Sequence, residues 1–150
     1  HTMSSAKIER ISLNDRPASE LLLHGTIASK YHVPLVFVSG DFGICKEIRS
    51  INPLTITHST MHGVGDSTIS LQPELSRLQI KKKVEKALSL DLKLCIWAHP
   101  NKFKLEIRYM KHVDAYKASQ YPNAIMLNGK SVIYESKDYD DIMRFILFCV

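Results

Sequence analysis

At 150 residues the chain is long enough to bury one core without disulfides or a structural metal to staple it, so a single domain over residues 3–150 is the expected organisation. Three cysteines, Cys45, Cys95 and Cys149, form no CxxC pair and leave an odd count, which speaks against a disulfide framework or a cysteine-built zinc site and suits a reducing cytoplasm. The net charge of +5 invites nucleic acid, yet the dense run Lys81-Lys82-Lys83 with Lys86 lacks interleaved aromatics and reads as a solvated helix face, and no apolar run approaches the roughly 18 residues of a membrane span.

In chain order, His1-Thr2 directly before Met3 reads as a vector-derived addition. Lys7 to Leu13 alternates as a strand, with Ile8, Ile11 and Leu13 its apolar members, and Asn14-Asp15-Arg16-Pro17 supplies turn chemistry. Ser19 is placed to cap a mostly buried helix over 20–31, with Glu20 at the positive end of its dipole. The continuous apolar run Val33 to Val38 predicts a strand covered on both faces, closed by Ser39-Gly40-Asp41. A helix over 44–50, stopped by Asn52-Pro53, and a strand over 54–57 complete an α/β unit with a right-handed crossover.

His58 to Gly65 carries two glycines and no periodicity and is expected to be a loop. Pro73 opens a helix to about Ser89, with Leu75, Leu78, Val84 and Leu88 expected to face the core. From Phe103 to Tyr109 apolar residues alternate with Lys104, Glu106 and Arg108, the pattern of a strand with one wet face. Asn128-Gly129 predicts a hairpin through a type I′ turn, and Asp138 to Phe148 a closing helix with an acidic first turn. These elements make an α/β fold, a mostly parallel sheet flanked by helices, with an antiparallel, hairpin-containing carboxy-terminal part.

Particular strings carry a family resemblance. They are Leu13-Asn14-Asp15-Arg16-Pro17-Ala18-Ser19-Glu20; Tyr31-His32-Val33-Pro34-Leu35-Val36-Phe37-Val38-Ser39-Gly40-Asp41 with Cys45-Lys46-Glu47; Gly63-Val64-Gly65 followed by Leu71-Gln72-Pro73; and Asn128-Gly129-Lys130-Ser131-Val132 with Asp138-Tyr139. In this order and at this spacing the chain resembles the carboxy-terminal half of the zinc-dependent D-aminopeptidases, bacterial enzymes often found with dipeptide-transport genes. The resemblance implies a hydrolase with two zinc ions, in which a metal-held water attacks the carbonyl of an N-terminal peptide bond of a small peptide. It also implies ring-like homo-oligomers.

Within the resemblance, Glu20 corresponds to the one zinc ligand that falls inside this sequence; its other reading is a surface carboxylate at a helix N-terminus. A catalytic zinc site normally needs about three protein ligands, so the chain by itself is expected to be a poor peptidase, a fragment whose missing amino-terminal half or its equivalent supplies the rest. Asp41 and His62 are candidates for an active-site loop, with turn hydrogen bonding as the other reading of Asp41, and Glu47 reads as structural. His24 stands where the family usually has asparagine, Phe42 replaces the second aspartate of the family's Gly-Asp-Asp, and Met61 or His62 replaces a loop lysine. The remaining histidines, His32, His58, His99 and His112, read as incidental, and neither Cys45 nor Ser39 has a sequence-adjacent base to activate it. A non-catalytic oligomerisation domain is the alternative function, and a nucleic-acid-binding module the weaker one.

Overall fold

The computed structural model describes residues 3–150; the vector-derived reading of His1-Thr2 lies outside them. The chain divides into two compact units, residues 3–30 with 99–150 and residues 31–98.

The first unit is built on a five-stranded antiparallel sheet. Its strands are β1 (Ile8–Leu13), β2 (Arg16–Pro17), β6 (Phe103–Tyr109), β7 (Ile125–Asn128) and β8 (Ser131–Ser136), in the order β2-β1-β6-β8-β7. Asn14 (φ 49°) and Asp15 (φ 64°) turn β1 into β2, and both residue types tolerate this left-handed conformation. The Asn14 side chain fastens the turn to β6, accepting from Lys104 N at 2.7 Å and donating to Lys102 O at 3.2 Å. Strict alternation along β6 buries Phe103, Leu105, Ile107 and Tyr109. Its wetter face carries the pairs Arg10–Glu106 (3.6 Å) and Arg108–Glu9 (2.9 Å).

Helices α4 (His112–Ser119) and α5 (Tyr139–Cys149) pack on this sheet, and α1 (Glu20–Lys30) packs beside α5. Ser19 caps α1 as expected, its Oγ accepting from Leu22 N at 3.1 Å; Asp138 caps α5 by accepting from Asp140 N. The core is aromatic at one end: Phe145 stacks on Tyr134 at 4.8 Å and meets Tyr121 edge-on at 5.2 Å. Buried phenols find partners, as Tyr139 donates to Leu23 O and Tyr109 to Cys149 O, each at 3.0 Å.

The second unit holds a three-stranded sheet, β3 (Phe37–Asp41), β4 (Ile56–Val64) and β5 (Ser67–Ser70) in that order. β3 and β4 are parallel and joined through α2 (Phe42–Ile51); β5 returns antiparallel to β4. Helix α3 (Pro73–Leu88) packs on β4, and a 3-10 turn over Leu92–Cys95 follows it.

Several expectations are corrected. Parallel pairing is confined to β3 and β4, and the larger sheet is antiparallel. The strand placed at Val33 to Val38 begins only at Phe37, with Val33 exposed. His32 holds a positive φ of 58°, and Pro34 lacks the N–H a ladder requires. The predicted loop over His58–Gly65 is mostly strand, running into a hairpin turn in which Gly65 takes φ 58°. On α3, Leu75, Leu78 and Leu88 face outward; Ser76 and Ala87 are the buried positions, small enough to let the helix approach the sheet. The Asn128-Gly129 hairpin forms, but neither residue has positive φ. Instead the Asn128 side chain accepts from Lys130 N and Ser131 N at 3.0 Å, an Asx-type closure that replaces the type I′ turn. Helix α4 had no counterpart in the sequence reading.

Candidate functional site

The carboxyl end of the parallel pair is where an α/β unit displays functional groups, since backbone leaves the sheet there. Here β3 ends in Ser39-Gly40-Asp41 and passes directly into α2. Asp41 is the N-cap of that helix, its Oδ1 accepting from Ile44 N at 2.8 Å. Gly40 is required by the tight entry: a Cβ there would lie 2.7 Å from Ile44 Cγ2. From the neighbouring strand, Thr60 Oγ1 donates to Gly40 O at 3.1 Å, and the register sets Asp41 opposite Met61. His62 follows on β4, exposed, with Ile69 of β5 as its cross-strand partner.

Asp41 and His62, two of the three predicted site residues, thus fall on adjacent strands of the second unit. Glu20, the third, belongs to the first unit, where it is exposed at the first position of α1. His24 follows it four residues later, also exposed, a spacing that puts the carboxylate and the imidazole on one helix face. Glu47 lies half-buried on α2. Phe42, at the start of α2, is exposed, as is Met61. His99 lies near the Phe103 ring in a tilted arrangement, 6.3 Å between centroids.

The sequence reading missed a buried pair in the second unit. His58 is 2 % exposed and its Nε2 lies 3.3 Å from Ser76 Oγ. Burial, with the Lys83 ammonium nearby, lowers the His58 pKa below its ordinary value. The missed signal was Gly65-Asp66, a hairpin dipeptide that would have made Ile56 to Val64 a strand and set His58 under α3. This pair is enclosed and supports packing rather than catalysis. Cys45, on α2, is fully buried and burial raises its thiol pKa, which leaves it a poor nucleophile at neutral pH.

Among the described residues there is no group of three or more His, Cys, Asp or Glu side chains that could hold a metal ion. Asp41 is committed to its cap and Glu20 has one neighbouring imidazole. The donors of this chain do not by themselves fit a zinc centre, which needs about three.

An α/β architecture with a dominant antiparallel sheet defines the structural class, and a solved structure shares it. The zinc-dependent D-aminopeptidase DppA from Bacillus subtilis, described as a self-compartmentalizing protease, overlays with a TM-score of 0.79 over 95% of this chain and 54% of its own, at 23% identity. A curated D-aminopeptidase of Bacillus subtilis (strain 168) is 26% identical over 133 residues, 87% of this chain and 48% of the relative. The D-aminopeptidase family model, peptidase family M55, matches residues 1–148. The chain belongs to that family. It spans about half the length of these relatives. Among the described residues no helix is long and apolar enough to cross a membrane.

Proposed function

We propose that this chain is a portion, corresponding to the carboxy-terminal half, of a zinc-dependent aminopeptidase that removes N-terminal residues from short peptides containing D-amino acids, and that its copies assemble into a homo-oligomer in the cytoplasm. The observation that carries the reading is the D-aminopeptidase match across residues 1–148. The names of the relatives, zinc-dependent and self-compartmentalizing, support the metal and the assembly. In this reading Glu20 is one zinc ligand, presented at the open start of α1, and the remaining ligands come from polypeptide equivalent to the other half of the relatives. Asp41 and His62, on β3 and β4 of the second unit, are the candidate active-site loop residues, and Asp41 also holds the entry into α2 in shape.

Zinc titration by calorimetry, with a chromogenic D-alanyl amide assayed in parallel, tests this. A version extended to the relatives' length is expected to bind zinc and to hydrolyse the amide, losing activity to a chelator and regaining it on zinc addition; the 150-residue chain should do neither. Glu20→Gln in the extended version should weaken zinc binding by at least tenfold, since a lost ligand is rarely replaced by the helix around it. Zinc-independent hydrolysis, or an unchanged affinity in that variant, would sink the assignment.

A further inference from the structure

We infer that the β4–β5 hairpin is a self-association arm, and that two copies of this chain pair through β5 in antiparallel fashion to form one continuous six-stranded sheet. The inference rests on the homo-oligomer part of the reading above and names the surface responsible.

Every residue from Met61 to Leu75 is exposed, so the end of β4, the turn and the whole of β5 stand clear of other side chains on both faces. A two-stranded ribbon without a covering layer is at best marginally stable in water. The register places the Ile69–His62 and Ser67–Val64 pairs along this ribbon. Ile69, Val64 and Leu71, on one face of the ribbon by this register, are 58%, 52% and 38% exposed, and Leu75 and Leu78 of α3 are exposed as well, at 45% and 54%. Scattered exposed apolar residues need no explanation, but a contiguous group beside an open strand edge marks an interaction surface.

The choice of a second copy as occupant follows from charge and regularity. A two-fold axis normal to the sheet sets each strand against itself, so a charged edge strand would place like charges near each other. β5, Ser67-Thr68-Ile69-Ser70, carries no charge. Centred on Thr68 or Ile69, the pairing sets Asp66 against Ser70 or Gln72 of the other copy, never against its own equivalent. Both edges of the five-stranded sheet are guarded. β7 is also uncharged but has a register irregularity between Met126 and Asn128, and such bulges blunt edge pairing. β2 is two residues long and contains Arg16 and Pro17. β5 pairs with β4 over four consecutive residues without interruption.

Light scattering across a concentration series on the 150-residue chain is expected to show a dimer or a multiple of it, and Ile69→Lys is expected to weaken self-association at least tenfold while the fluorescence of Trp97 and the circular dichroism stay unchanged. Oxidation of Thr68→Cys and Ile69→Cys variants is expected to give a covalent dimer in one of the two, reversed by dithiothreitol and absent from the parent chain. A chain that stays monomeric at every concentration would overturn the proposal and assign the arm to a different stretch of polypeptide. Association that survives Ile69→Lys, or failure of both cysteine variants to cross-link, would overturn it equally. Assembly is read here without zinc or substrate, so these outcomes leave the peptidase reading to its own test.

Discussion

The two units solve the burial problem differently. In the first, a regular alternating strand, β6, supplies Phe103, Leu105, Ile107 and Tyr109 to a single large core that also takes Phe145, Ile142 and Tyr139 from α5. In the second, the buried positions are fewer and more of them are small or polar: Val38, Cys45, Ile48, Ala87, Cys95 and Trp97, with Asn52, Thr55, His58 and Ser76. The first unit thus gains its stability from apolar area, at roughly 25 cal/mol per Å². The second depends more on exact contacts, because a buried polar group left without its partner costs about 1–3 kcal/mol. The candidate site residues Asp41 and His62 sit in the unit with the thinner core, where a local change has more leverage on their positions.

The largest effect is expected where apolar area is concentrated. Phe145 is fully buried between Tyr134 and Tyr121, and Phe145→Ala removes a ring while leaving its neighbours fixed to sheet and loop. The expected loss is about 3–5 kcal/mol, the usual range for large aromatic-to-alanine changes in a core. Urea denaturation followed by circular dichroism measures it, with hydrogen exchange at β6 and β8 amides as the local readout. A loss below about 1 kcal/mol would show that this cluster is loosely packed, and the contrast between the units would weaken with it.

A smaller but more local effect is expected in the second unit. Gly40→Ala would press a methyl to 2.7 Å from Ile44 Cγ2. That atom is the branch methyl of a β-branched side chain on the helix that Asp41 caps, so it has little freedom to move aside. The expected cost is about 1–3 kcal/mol, the range for overpacking a close contact, read as a shift in the urea midpoint of Trp97 fluorescence. Gly40→Ala with an unshifted midpoint would mean that the strand-to-helix junction is soft, and that Asp41 is not held as firmly as its cap suggests.

What the sequence made legible follows the same division. The first unit was readable where one physical rule dominated: strict alternation gave β6 from Phe103 to Tyr109, the Ser19 cap gave α1, and the acidic first turn gave α5. The antiparallel β7–β8 hairpin was readable from Asn128-Gly129, but the pairing of β1 with β6 was not, since these strands are far apart in sequence and local pattern carries no pairing information. In the second unit local rules competed. The apolar run Val33 to Val38 mimicked a doubly covered strand although Pro34 forbids it, and Gly63 in β4 with Gly65 just beyond it mimicked a loop although Gly65-Asp66 marked the hairpin. On α3 the leucines suggested the inward face, while Ser76 and Ala87 occupy it. Of the candidate site, the ordered strings were enough to reach the family; the places of Asp41 and His62 on neighbouring strands required the register.

The smallest expected effect is a pH dependence that separates the units by mechanism. His58 is enclosed near Ser76 and the Lys83 ammonium, and both burial and that charge favour the neutral ring, so its folded pKa lies below the unfolded value, which is about 6.5. As pH falls, the unfolded chain therefore takes up the proton first. Stability from this group is fully present above about pH 6.5, declines as pH drops from there toward the lower folded value, and is flat below it. Carboxylates titrate mostly below about pH 5, which leaves the interval between about 5.5 and 7.5 to report the imidazole. The sole tryptophan, Trp97, is buried in the same unit, so its urea midpoint is the measurement. The midpoint should fall on acidification in the parent chain and much less in His58→Gln. An equal decline in both would assign the sensitivity to other groups; no decline in either would mean that the ring accepts a proton without leaving its place against Ser76, and that the polar contacts of this unit are more forgiving than its small core implies.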